Sequence, residues 1–159
     1  MAPVTLLALQ VAITFAAYNV AAWLLVVPRL DALPRARSLV WTTLPISMRH
    51  LSATMLAPSI TSPSFDASFR EIVGYADLAL SVFALVVVVV LARTRRLGIA
   101  LAWICHVVGL VELLYAVFAA SRLQAAALFG AHWYIVALGA PLSLTLHLLS
   151  LRTLASRRP

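Results

Sequence analysis

Lysine is absent from this chain, acidic residues number five, and cysteine occurs once. The lone Cys105 excludes an intrachain disulfide and says nothing of redox compartment, and no Cys/His spacing of a zinc finger is present. Twelve arginines against five acids give a formal net charge of +7. In a soluble protein that balance would suggest nucleic acid, but no basic, aromatic-rich soluble segment exists to carry such binding. Charge of either sign is scarce: 11% of residues, against ~25% in typical globular domains. A basic leader is missing as well. The first apolar stretch, about residues 4–27, is longer than the ~7–15 residues of a signal-peptide core, so it reads as a retained helix.

What is present is apolar. Hydrophobic residues make up 64% of the chain and the mean hydropathy is +1.02, far above what a soluble domain of this size could hide. At ~1.5 Å per residue, runs at about residues 4–27, 74–92, 97–120 and 131–151 are each long enough to cross a ~30 Å hydrocarbon core. Pro28 is expected to end the first, since proline cannot continue the hydrogen-bond ladder. Residues 39–59 are ambiguous, with Arg49 and His50 in the middle and Pro45 and Pro58 weakening the helix. Charge parity favours a crossing. If this segment spans, Arg29, Arg35, Arg37, Arg93, Arg95, Arg96, Arg152, Arg157 and Arg158 share one side, and only Arg70 and Arg122 lie opposite. The expectation is therefore an all-α integral membrane protein, a single transmembrane domain over residues 1–159. It would be an antiparallel bundle of five transmembrane helices, N-terminus outside and C-terminus cytoplasmic, in the cell's inner (plasma) membrane.

The ionisable residues inside these runs are the candidate site. Counted from the Arg93–Arg96 hairpin, Asp77 and Glu112 lie at one height, ~22–24 Å into the bundle. Arg49 and His50 fall at ~15 Å, with His106, Tyr18 and Asn19 at ~12–14 Å and His147 at ~6–8 Å. Acids at matched depth in lipid are costly and mark a site. Two carboxyls in low dielectric cannot both ionise cheaply, so one is expected to keep its proton while Arg49 steadies the other. That arrangement suits general acid–base work by Asp77, Glu112 and Arg49 on a lipophilic substrate such as an isoprenoid, as in a membrane isomerase or cyclase. His50, His106, Tyr18, Asn19, Trp103 and Tyr115 are candidate substrate contacts, the aromatics as partners for a cationic intermediate.

Other classes fit the same residues. A proton-coupled carrier also uses intramembrane acids, histidines and arginine, although no inverted repeat is visible. A b-type haem held by His50 and His106 is a third reading. A non-catalytic subunit is the fourth, with Arg49 in a structural ion pair with Asp77 or Glu112. No cofactor and no metal are expected on the leading reading. The expected partners are membrane lipids and a lipophilic small molecule, with homo-oligomerisation open.

The stretch from about Arg49 to Ala116 resembles a group of uncharacterised small bacterial polytopic membrane proteins. These carry an arginine within one helix, here Arg49, and a Gly-aromatic-x-Asp start to the next, here Gly74–Tyr75–Ala76–Asp77. The helix after that has a tryptophan, a glycine and an acid at fixed spacing, here Trp103, Gly109 and Glu112. The resemblance implies that Arg49, Asp77 and Glu112 belong to one constellation, and it carries no activity with it.

Overall fold

A computed structural model describes residues 1–57 and 59–156, which form an all-helical chain with no strand among the described residues. Four helices are long and apolar enough to cross a membrane: α1 (Pro3–Asp31), α3 (Ala67–Arg93), α4 (Arg95–Arg122) and α5 (Gly130–Ala155). A short helix α2 (Arg35–Thr43) continues directly into a 3-10 helix, Leu44–Leu56. Pro58, Arg157 and Arg158, which entered the sequence argument, lie outside the described residues.

Side-chain and backbone bonds define the two ends of the bundle. At one end Arg152 pairs with Asp31 and Arg35 donates to the Leu154 carbonyl. At the other, Ser62 N–H donates to Leu128 O, Ala131 N–H donates to Ile60 O, and Thr54 meets His132. The segment from Arg35 to Leu56 starts at the first end and finishes near the second, so it runs the length of the bundle. Its nine α-helical and thirteen 3-10 residues give ~40 Å at ~1.5 and ~2.0 Å per residue.

The expected helix limits shift where local chemistry differs from a simple hydropathy edge. Asp66 caps α3 by accepting from Phe69 N–H at 2.7 Å, so the helix starts at Ala67 rather than at Gly74. Pro28 does not end α1. A π-helical turn, Ala22–Val26, precedes it, and a second one, Ile135–Gly139, precedes Pro141 in α5. Both stop two residues short of the proline. Proline offers no N–H to the carbonyl four residues back and crowds it, and a widened turn relieves both faults without breaking the helix.

The 3-10 stretch is much longer than the usual three or four residues. Its exact three-residue repeat keeps Ile46, Arg49, Ser52 and Met55 in a single line. An α-helix would have turned that line by ~60° at each step. Ile46, Arg49 and Met55 are buried and Ser52 is half-buried, and this face packs on α3. Ile46 belongs to one apolar cluster, with Leu39, Val87 and Cys105, and Met55 to another, with Phe65, Phe69 and Phe129. Arg49 sits between the two clusters.

Candidate functional site

Arg49 is 6% exposed and Asp77 4%. The guanidinium is a hub. Its Nε donates to Asp77 Oδ1 on α3 and its Nη2 donates to Glu112 Oε2 on α4. Its Nη1 reaches the Gly109 carbonyl at 3.2 Å and His147 Nε2 on α5 at 3.3 Å. One cation therefore ties four chain segments together through charge-assisted bonds, which is what planar arginine does better than lysine. A buried ion triad of this kind is tolerated only when most of its polar atoms are satisfied. Glu112 is less enclosed, with its side chain 15% exposed, and its Oε1 finds no hydrogen-bond partner among the described residues.

The three residues meet although the sequence put Arg49 ~7–9 Å below the acids. Two features account for this. The helical segment starts at Arg35, and its second part rises at ~2.0 Å per residue, so Arg49 lies at ~25 Å, level with Asp77 and Glu112. His147, expected lower still, is also in the cluster.

A second polar set continues from His147. Its Nδ1 lies 3.0 Å from His106 Nδ1, and His106 Nε2 lies 3.0 Å from Thr43 Oγ1. The two rings meet edge to face with centroids 5.2 Å apart, and both are fully buried. Gly109 makes room for the His147 ring: a Cβ there would sit 2.5 Å from its Cε1 and 2.8 Å from its Nε2.

The other candidates scatter. His50 is exposed, with Nδ1 against its own Ser47 carbonyl at 2.7 Å, because each step in a 3-10 helix turns ~120° away from the Arg49 line. Trp103 and Tyr115 are 39% and 47% exposed on α4. Asn19 binds Thr145 Oγ1 at 3.2 Å and tethers α1 to α5. His50 and His106 are not brought together: His106 places both ring nitrogens against Thr43 and His147, while His50 turns outward. No group of three or more His, Cys, Asp or Glu placed to hold a metal occurs among the described residues.

Arg49, Asp77 and Tyr18 do share a space. They line a cavity of about 390 Å³ whose wall also includes Ser52, Phe69 and Phe129. Asp77 is the acid in this lining, and Glu112 approaches Arg49 from outside it. A second cavity of about 440 Å³ opens between α1 and α4, and the two have Leu113, Val117, Ala120, Phe129, Val136 and Ala140 in common. Sequence reasoning missed Ser52, Phe69 and Phe129. It could have found Ser52 only by reading the 44–56 segment with a period of three.

No curated protein and no solved structure matches the chain. A family does match over residues 6–155, nearly the whole length and well beyond the Arg49–Ala116 stretch, and it is described as a domain of unknown function. The chain, with its arginine-centred cluster, belongs to that family, DUF8737.

Proposed function

We propose that this protein is an integral-membrane acid–base enzyme, an isomerase or cyclase, acting on a lipophilic substrate of isoprenoid type. It crosses the inner membrane of a bacterial cell five times, with its N-terminus outside and its C-terminus cytoplasmic. The observation that carries the reading is Asp77, braced by Arg49, at the wall of a largely apolar cavity. Buried ionisable groups in a membrane-spanning chain mark function by default, and a largely apolar pocket with few convergent polar groups is the usual form of a small-molecule site.

The chemistry is a balanced proton exchange. Asp77 as the acid gives its proton to a substrate double bond, leaving a carbocation and a carboxylate. The carboxylate then takes a proton from a neighbouring carbon, the double bond forms again one position away, and the formula is unchanged. Ring closure on the cation before proton loss gives the cyclase outcome. Arg49 holds the carboxylate in place, Glu112 balances the guanidinium from behind, and Tyr18, Phe69 and Phe129 in the cavity wall supply aromatic rings for the cation. At about 390 Å³, and with a water's ~30 Å³ share of liquid volume as a guide, the cavity has room for about a dozen water-sized groups. The adjoining space of about 440 Å³ suits a further length of chain.

Reconstituted protein incubated with isoprenoid lipids in heavy water is the test. Mass spectrometry should find deuterium in a substrate of unchanged formula, and Asp77→Asn should lower that incorporation at least 100-fold, the scale of a lost general acid. A second reading rests on a different observation: Nε, Nη1 and Nη2 of Arg49 all bond protein groups, as in a structural pin. No deuterium with the wild type, together with unfolding of Asp77→Asn, would favour that reading instead.

A further inference from the structure

We propose that His147 and His106 act as one pair locked in complementary tautomers, whose task is to orient the Arg49 guanidinium between its two acids. Neither is a catalytic residue, since both are fully buried and act through Arg49. The inference does not depend on what the substrate is.

Arginine fixes the direction of the chain because it can only donate. Arg49 Nη1 lies 3.3 Å from His147 Nε2, so that nitrogen accepts and carries no hydrogen. His147 is then neutral with its hydrogen on Nδ1, which donates across 3.0 Å to His106 Nδ1. That nitrogen accepts in turn, so the His106 hydrogen sits on Nε2 and donates to Thr43 Oγ1 at 3.0 Å. Every contact has one donor and one acceptor in this single arrangement. A proton added to His106 would set two Nδ1–H groups face to face between the rings, and one added to His147 would set its Nε2–H against the Arg49 Nη1 donor.

The consequence falls on Arg49. With Nη1 held by the Gly109 carbonyl and by His147, the guanidinium plane cannot rotate, and Nε and Nη2 are aimed at Asp77 and Glu112. Gly109 belongs to the same device: its missing side chain lets the His147 ring approach the carbonyl that shares Nη1.

Nitrogen-15 NMR on histidine- and arginine-labelled protein in nanodiscs tests this. The wild type at neutral pH should show His147 protonated on Nδ1 and His106 on Nε2, and the Nη signals of Arg49 should be resolved, reporting blocked rotation. His147→Leu should merge the Arg49 signals. His147→Gln, whose side-chain oxygen can accept near the position of Nε2, should keep them apart. Thr43→Val should leave both tautomers as they are, because the direction is set from the Arg49 end. Identical tautomers in the two rings, an imidazolium at either, or resolved Arg49 signals in His147→Leu would overturn the proposal. Should His147→Leu fail to fold, the wild-type tautomers alone decide.

Discussion

At the scale of single residues the molecule turns on the cost of unpaired charge. Removing only the cation from the Arg49–Asp77–Glu112 triad leaves two acids without their partner, and breaking a buried pair in this way typically costs ~3–5 kcal/mol. Arg49→Met should therefore lower the melting temperature in detergent markedly, whereas Arg49→Met combined with Asp77→Asn and Glu112→Gln should recover most of the loss. That non-additivity is the expected sign of one coupled unit. A smaller effect is expected at Gly109. Its added Cβ would press on His147 and also lie 2.8 Å from Leu80 Cδ2, an overpacking of ~1–3 kcal/mol. Thermal unfolding of Gly109→Ala checks it, and an unchanged melting temperature would mean that the ring has room to move. The membership of Arg49, Asp77 and Glu112 was legible in the sequence, because charges are so rare in these runs that each stands out. His147 was visible as an ionisable residue within its apolar run but not as a partner of Arg49, since the height given by hydropathy put it far below the acids.

At the scale of elements, hydropathy finds the long apolar helices and misjudges how their backbones are wound. Pro28 looked like a stop and is a passage, because a π turn before it absorbs the fault. Residues 44–56 looked like a damaged α-helix and are a 3-10 helix, whose longer rise helps bring Arg49 level with the acids. A window of mean hydropathy carries no information on that rise or on the earlier start at Arg35, which together made the error in height, while His50 was misplaced because neighbouring positions on any helix face different ways. The period itself can be measured. In a Cys105→Ala background, single cysteines placed in turn along 44–56 should be protected from maleimide at positions 46, 49, 52 and 55. Protection at 46, 49, 53 and 56 instead would describe an α-helix, and the alignment of Arg49 with Ser52 and Met55 would be lost.

For the whole molecule the question is which solvent each surface meets. Trp23, Leu24, Val111, Val117 and Phe118 are all more than half exposed, an apolar girdle that water would not tolerate over such an area. Charge collects at the ends of the bundle. Arg29, Arg35, Arg37, Arg93, Arg95, Arg96 and Arg152 lie toward the end where Asp31 meets Arg152, and Arg70 and Arg122 lie toward the other. Under the positive-inside rule, a bias of that size is what the proposed orientation, basic end to the cytoplasm, calls for. The geometry makes a sharper demand on residues 35–56. Ala32, just before this segment, and Thr94, in the α3–α4 hairpin, are both exposed, as is Ser64 in the connection before α3. If the segment crosses, Ala32 and Thr94 share a side and Ser64 faces the opposite one. In the Cys105→Ala background, a membrane-impermeant maleimide added to intact cells with the outer membrane removed should label Ser64→Cys and leave Ala32→Cys and Thr94→Cys untouched until the membrane is opened. A segment lying along the surface would instead put Ala32 and Thr94 on opposite sides, so labelling of one of them from outside, while the other stays protected, would remove the fifth crossing. Arg49 would then lose the bundle interior in which it meets Asp77 and Glu112.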